Sequence, residues 1–307
     1  MATVPQAALA LKNILIATDF SPCSDRALLH AVAVAHRLGS TLHMVHVVPP
    51  ALFSLLPPDA YMNSPELQNA AADQARDQTE QKIAAVLRDS HCEEVKHKTW
   101  VQLGAVGEMI RVLIDREHID LAILGTHGKT GLRRIIMGSV AEEIFRNAPC
   151  PVLTVGPHSW RSDPQTVHLR HILFPTDLTP ASASALPLVI AIANNFNARL
   201  TMLHIVERME ADAELDRLRV INAIEQQMQE MVWEYGPVNA GAEFRVQFGD
   251  VASSVIDAAS RLEVDLVAFG LKAPDTYTDR LPWMHAYKIV CEVACPVLSL
   301  RGESAGD

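Results

Sequence analysis

Short apolar runs alternate with longer amphipathic stretches along this chain. Ile14-Leu15-Ile16, Met44-Val45-His46-Val47-Val48 and Ile119-Asp120-Leu121-Ala122-Ile123-Leu124 carry few polar residues, as strands covered on both faces of a parallel sheet do. Between these runs, apolar residues return every third or fourth position, the period of a helix. In the first half the pattern predicts strands near 12–18, 41–48, 94–102, 120–125 and 151–156, and helices near 23–38, 66–89, 106–117 and 139–147. Ser21-Pro22 and Thr179-Pro180 each place an N-cap hydroxyl ahead of a proline in the first helical turn. Strands and helices in strict alternation imply an open parallel sheet joined by right-handed crossovers.

The pattern is written twice. Ile14-Leu15-Ile16-Ala17-Thr18-Asp19-Phe20 returns 158 residues later as Ile172-Leu173-Phe174-Pro175-Thr176-Asp177-Leu178, and Met44-Val45-His46 returns as Met202-Leu203-His204 at the same offset. Val101-Gln102-Leu103-Gly104 returns as Val246-Gln247-Phe248-Gly249 at an offset of 145. Asp120 and Asp265, Gly125 and Gly270, and Cys150-Pro151-Val152-Leu153 and Cys295-Pro296-Val297-Leu298 share that second offset. The second copy is therefore shorter between its second and third strands. A period this long means tandem domains and not a solenoid. The expected fold is α/β, two tandem open parallel five-stranded sheets flanked by helices and Rossmann-like, over residues 11–157 and 168–302. The stretch Gly156-Pro157-His158-Ser159-Trp160-Arg161-Ser162-Asp163-Pro164 has turn chemistry without periodicity and reads as the linker.

Composition narrows the function classes. The 307 residues are 49% hydrophobic and 20% charged, the balance of a compact folded protein. No run approaches the ~20 apolar residues of a membrane span. A net charge of −10 disfavours nucleic acid, whose phosphates are bound by Lys and Arg. Met1-Ala2-Thr3-Val4-Pro5-Gln6 lacks a basic signal start, and five cysteines without a CxxC pair argue against a disulfide framework. A reducing, cytoplasmic setting is expected. Cys291 and Cys295, four apart, could share a helix face and a metal. Cys295 matches Cys150 at the start of a buried strand, however, where a thiol serves as a small hydrophobe.

Candidate chemistry gathers after the fourth strand. Gly125-Thr126-His127-Gly128 is followed by nine residues and then by Gly138-Ser139. Glycines at a strand end let the backbone pass close to a ligand. Gly138-Ser139 opens a helix whose free amides and positive end suit a phosphate. In doubly wound sheets, ligands sit beyond the carboxyl ends of strands where the winding order reverses. Asp19 ends the first strand and Gly125 the fourth, so if those strands are neighbours both face one crevice. The dinucleotide spacing GxGxxG is absent.

With these residues in view, the chain resembles the universal stress protein family, specifically its ATP-binding branch. That branch carries glycine, two residues, glycine, nine residues, glycine and serine or threonine, and Gly125, Gly128, Gly138 and Ser139 fill all four places. Thr18-Asp19, His46-Val47 and the Cys150-Pro151-Val152-Leu153 strand extend the resemblance, which spans residues 11 to 301 and implies an adenine nucleotide alpha hydrolase-like fold. It implies that Asp19 contacts the ribose or adenine side of ATP and that the Val47 backbone meets the adenine edge. Gly125, Gly128, Gly138, Ser139 and Val140 would surround the ribose and phosphates, with Ala17, Thr18, Leu124, Thr126 and His127 completing the wall. Mg²⁺ would bridge phosphate oxygens without a protein cage of its own. The family's single-domain members pair through their last strands. The resemblance therefore implies an intramolecular pseudo-dimer through Val152–Val155 and Val297–Leu300, covering two sheet edges. A further homodimer and a protein partner stay open.

Several residues carry a plainer alternative. Asp19 equally well supports the turn into the first helix, because Asp177 persists in a copy that lacks the loop. Ser139 could be only an N-cap. His127 in a tight glycine turn suits packing or a backbone hydrogen bond better than catalysis, and no carboxylate is placed to activate water. ATP hydrolysis is at most slow. Lys129, Arg133 and Arg134 could screen phosphate or form a solvated face. His46 and His204 occupy matching strand ends, which favours a shared structural role. The apolar, proline-rich stretch 49–62 could be a lid, a contact surface or a packed loop. In the second copy Gly128, Gly138 and Ser139 become Ala273, Trp283 and Met284. That copy is expected not to bind ATP, with Trp283 filling the phosphate position.

Overall fold

The computed structural model describes residues 11–48, 65–89, 91–126, 137–156, 159, 169–207, 214–272 and 280–302. His127, Gly128, Lys129, Arg133, Arg134 and the 49–62 stretch lie outside the described residues. The chain divides into two compact units, one on Leu11–Pro157 and the other on His168–Asp307.

The first unit runs β1 (Asn13–Ala17), α1 (Pro22–Leu38), β2 (Thr41–Val48), α2 (Pro65–Asp89), β3 (His97–Leu103), α3 (Val106–Arg116), β4 (Leu121–Gly125), α4 (Ser139–Asn147) and β5 (Val152–Val155). Its strands lie in the order β3-β2-β1-β4-β5 and are parallel throughout. Winding therefore reverses between β1 and β4. Ile14 pairs with Leu121 and Ile16 with Ile123 across that junction. Alternation sends successive side chains of a strand to opposite faces. Leu15, Val45, Ala122 and Val152 share a core with Ile110 and Leu113 of α3 and Ile144 of α4. Ile14 and Ile16, also fully buried, turn to the opposite face. Both faces are apolar because both are covered, so these strands read as continuous apolar runs.

The second unit runs β6 (His171–Pro175), α5 (Pro180–Ala183), α6 (Leu186–Phe196), β7 (Arg199–Val206), α7 (Glu214–Tyr235), β8 (Ala242–Phe248), α8 (Val251–Arg261), β9 (Leu266–Lys272), α9 (Arg280–Glu292) and β10 (Val297–Gly302). The strand order is β8-β7-β6-β9-β10, again parallel. Where the first unit has the single helix α1, the second has two pieces. Pro187 sits in the first turn of α6, where its missing N–H and bulky ring forbid a helix running through from α5.

Aspartates kept in both copies tie the strand starts together. Asp120 Oδ2 accepts from the backbone N–H groups of Lys12 and Asn13, each at 2.8 Å. Asp265 Oδ2 does the same for Arg170 and His171, at 2.8 and 3.0 Å. Charged acceptors make such bonds stronger than neutral ones. All five cysteines are free thiols, and Cys291 and Cys295 are buried. Burial pushes the thiols of Cys150 and Cys295 up to about 12, so both stay protonated and unreactive. Among the described residues no helix is long and apolar enough to cross a membrane.

Candidate functional site

The carboxyl ends of β1 and β4 form the switch point of the first unit. Ala17 ends β1 half-buried, followed by buried Thr18 and half-buried Asp19. Thr18 Oγ1 accepts from the Phe20 N–H at 3.1 Å, and Asp19 Oδ1 accepts from the Ser21 N–H at 3.0 Å. These bonds fold the chain into the turn that starts α1, with Phe20 left-handed at φ 60°. Ser21 then caps the helix by accepting from the Ser24 N–H at 3.2 Å. The second copy repeats every step. Thr176 Oγ1 accepts from the Leu178 N–H, Asp177 Oδ1 from the Thr179 N–H, and Leu178 has φ 64°. A bulky residue is uncommon in that region, so the side-chain bonds on either side hold it there. Asp19 is thus at the crevice, and its turn role is explicit in both copies.

His46 and His204 resolve in the same way. Their Nδ1 atoms lie 2.8 and 2.9 Å from the carbonyls of Thr18 and Thr176. A carbonyl only accepts, so Nδ1–H donates in both. Each imidazole anchors the end of the first strand of its sheet. The Phe20 ring packs on His46 at 4.6 Å, and the Lys82 ammonium lies 5.4 Å from the Phe20 ring.

β2 extends past β1. The last rung between them is Ala17 with Val45, closed by the Thr18 N–H to the Val45 carbonyl at 2.9 Å. Val47 lies beyond it, paired with Gln102 on its other side. Its backbone edge toward the crevice has no β1 partner, while its side chain is buried in the core with Leu124.

Gly125 has a reason of its own. A Cβ there would lie 2.8 Å from the carbonyl carbon of Cys23 and 3.0 Å from the Ser24 nitrogen. At Gly270 it would lie 2.4 Å from the Ala181 oxygen. In both copies the glycine lets the first helix seat its opening turn against the strand end. The close approach is to the chain's own backbone.

Beyond Gly125 the copies diverge. Thr126, fully buried, donates its N–H to the Val155 carbonyl at 3.1 Å and accepts from the Gly138 N–H at 2.7 Å. Thr126 and Gly138 are thus held against each other at the end of β4. Gly138 is the N-cap of α4 with φ −62° and ψ 148° and brings no capping side chain of its own. Any residue adopts those dihedrals, so the backbone does not demand glycine here. Ser139 is exposed and Val140 half-buried in the first turn. With the Gly138 N–H committed to Thr126, the amides of Ser139, Val140 and Ala141 are the ones that helix geometry leaves without an intrahelical acceptor. They bring the positive end of the helix macrodipole to the crevice.

The same place is built differently in the second unit. β9 runs two residues past its glycine, and Leu271 and Lys272 pair with Arg301 and Gly302 of an equally lengthened β10. β4 stops at Gly125 opposite Val155. α9 begins at Arg280, four residues ahead of Met284, the counterpart of Ser139. The free helix end is thereby displaced by about 6 Å along the axis. Trp283, opposite Gly138 in the alignment of the copies, lies within that added turn, with the Arg301 guanidinium 5.3 Å from its ring. Arg301 stands where the first copy has Gly156, and burial holds its guanidinium below its ordinary value. The Gly156/Arg301 exchange is visible in the sequence at the offset of 145 and lies outside the glycine motif.

The universal stress protein family model matches residues 10–156 and again 168–301, and the chain belongs to that family. Universal stress protein MJ0531 of Methanocaldococcus jannaschii is 33% identical over 144 residues, 47% of this chain and 81% of that protein. Universal stress protein MJ0577 of the same organism is 30% identical over 152 residues, 47% of this chain and 94% of that protein. Each relative thus corresponds to about one copy. A crystal structure of a universal stress protein from Archaeoglobus fulgidus matches with a TM-score of 0.66 at 18% identity, over 94% of this chain and 98% of that chain. At that identity the likeness is one of fold.

Proposed function

We propose that the first unit binds ATP, that the second does not, and that the chain acts in the cytoplasm as a nucleotide-responsive regulator or adaptor. One observation carries this reading: the uncapped, glycine-led N-terminus of α4 opens at the β1/β4 switch point, while its counterpart carries Trp283 under Arg301. An uncapped helix end at such a position favours an anionic oxygen. A glycine with ordinary dihedrals at the N-cap leaves room where Ser, Thr, Asp or Asn is preferred. The residues present fit a nucleotide phosphate. Ser139 and Val140 would hold it through main-chain N–H groups, with Gly138 giving it space. Asp19 and the open edge of Val47 face the same crevice for the ribose and base. Mg²⁺, where it accompanies the phosphates, would ride on their oxygens and water.

The chain's own residues bind and orient, and none among those described is assigned a proton to move. Binding to the folded state alone stabilises that state by mass action, by ~4 kcal/mol at 1,000-fold excess over Kd. The test is to denature the purified protein, identify the released nucleotide by mass spectrometry and count it per chain. One ATP per chain is expected. ATP should also raise the unfolding midpoint of the wild type but not of Gly138→Trp. That variant keeps its backbone, because φ −62° suits tryptophan. Two nucleotides per chain, or none at millimolar ATP, would overturn the reading. Phosphate release compared between the same two proteins decides whether bound ATP is also slowly hydrolysed.

A further inference from the structure

The second unit carries a groove of about 1090 Å³ between α7 and β8. One wall is a stripe of α7 that includes Asn222, Glu225, Gln229, Glu230 and Trp233, and the other is β8 from Ala242 to Gln247. The stripe follows helical spacing and continues to Leu218, an exposed apolar residue. From Asn222 to Trp233 it is about 16 Å long, and six residues of β8 span about the same distance. Among the described residues β8 ends the strand order and pairs with β7 alone, so no described strand lies beside its outer row of backbone N–H and C=O groups.

Comparison of the copies indicates what changed on this face. At an offset of 145, Leu218, Asn222, Glu225, Gln229 and Trp233 stand where the first copy has Asp73, Asp77, Glu80, Ala84 and Arg88. At three of these five positions a charge gives way to an apolar, amide or aromatic group, while Glu225 keeps its charge and Glu230 adds one where the first copy has Ala85; aromatic groups are the ones enriched at interfaces. Trp233 is 79% exposed. Of the three tryptophans described, Trp100 has the Arg116 guanidinium 4.6 Å from its ring and Trp283 has Arg301 at 5.3 Å. Among the described residues no cation lies over Trp233. The charged residues lining the groove are Glu225, Glu230 and Glu243 against one arginine, Arg245, which is already paired with Glu243 at 3.0 Å. Arg199 of the neighbouring strand also acts on Glu243, and the carboxylates remain in excess.

We infer that the α7–β8 groove docks an extended, basic polypeptide segment, which adds as a strand to β8 and lays an arginine or lysine over Trp233. Strand addition supplies affinity through the free backbone edge, and side-chain pockets supply selectivity. The carboxylates attract the basic residues, and the indole face takes a cation. A second copy of this chain is the poorer occupant, because it would bring the same surplus of carboxylates to face these. The inference is independent of the nucleotide reading.

The test uses the full chain and a labelled synthetic peptide alternating arginine and valine, followed by fluorescence anisotropy. Two control peptides accompany it, one with glutamate for arginine and one with proline for every valine. The arginine–valine peptide should bind and the glutamate peptide should not. The proline peptide, equally charged but unable to donate to the ladder, should bind at least about ten-fold more weakly. Trp233→Arg, which installs the first copy's residue at an exposed position, should weaken binding about ten-fold. Equal binding of the arginine–valine and proline peptides, or no effect of Trp233→Arg, would reduce the groove to nonspecific charge and overturn the inference. So would absence of binding. A concentration-dependent dimer in sedimentation that Trp233→Arg dissolves would assign the groove to a second copy instead.

Discussion

Replacing Gly125 or Gly270 by alanine separates a glycine kept for the fold from one kept for a ligand. At Gly125 the new Cβ meets the Cys23 carbonyl carbon at 2.8 Å and its oxygen at 2.9 Å; at Gly270 it meets the Ala181 oxygen at 2.4 Å. All are backbone atoms in the capped first turn of a helix, which has no rotamer to yield. Ordinary contact would require a displacement of roughly 0.6 Å in the first case and 1 Å in the second. Overpacking of this kind costs ~1–3 kcal/mol. Alanine recovers about 0.4–1 kcal/mol by restricting the unfolded chain. The expected net loss is therefore ~1–2 kcal/mol for Gly125→Ala and more for Gly270→Ala. The assay is urea unfolding without nucleotide, with one transition fitted to each unit. If Gly125→Ala leaves that transition unmoved and only abolishes the ATP-induced shift, the helix-seating argument fails and Gly125 belongs to the ligand.

Three further outcomes follow from the same geometry. His43 is buried, its Nδ1 accepting from the Trp100 indole N–H at 3.3 Å and its Nε2 facing Asn13 Oδ1 at 3.3 Å. Burial and the Lys98 charge hold it below 6.5, and burial and Arg199 do the same for His171. The unfolded state then binds more protons than the folded one, so stability should be level above pH 6.5 and decline as pH falls below it. A urea midpoint unchanged from pH 8 to 5 would refute this, and carboxylates held low, such as Asp250 by its Ser253 hydrogen bonds, act only in a more acidic window. Asp120→Ala leaves two backbone donors without their acceptor and should cost ~1–3 kcal/mol. Asp120→Asn, which keeps an oxygen in place, should cost less by the same urea measurement. Cys150, pushed up to about 12, should resist a thiol reagent at pH 8 in the native protein and react on unfolding; prompt labelling would contradict its burial.

Much of the fold was legible because its determinants are local. Apolar runs at 14–16, 44–48 and 119–124 became β1, β2 and β4, and the Ser21-Pro22 and Thr179-Pro180 signals became capped helix starts. Alternation and handedness implied a parallel sheet, but the order β3-β2-β1-β4-β5, with β1 beside β4, came from the structure. The interruption between α5 and α6 was visible only as Pro187, a single residue inside an otherwise apolar helical pattern. The site was less legible. Spacing drew attention to Gly125, but its packing against Cys23 depends on how a helix 100 residues earlier seats on the strand, which spacing does not encode. The lengthening of β9 and β10 likewise depends on pairing across strands and not on any local motif.

The duplication acts as an internal control that sorts these residues by physical role. What both copies retain is what the architecture needs: the threonine–aspartate turn, the histidine on the strand-end carbonyl, the aspartate at the strand start, and the glycine under the first helix. Those features would survive whether or not any ligand bound. What only the first copy retains cannot be required by the architecture, since the second folds to the same strand order without it. Gly138, Ser139 and the short β4 fall in this class. The reverse comparison isolates Leu218 and Trp233 in the second copy, at positions where the first keeps Asp73 and Arg88. The earlier start of α9 in one part of the second unit thus accompanies an exposed tryptophan in another. The two copies differ at two separate places on one scaffold, the helix start beyond the central strand and the outward stripe of the long helix, and exchanging residues between the copies tests each place independently of the other.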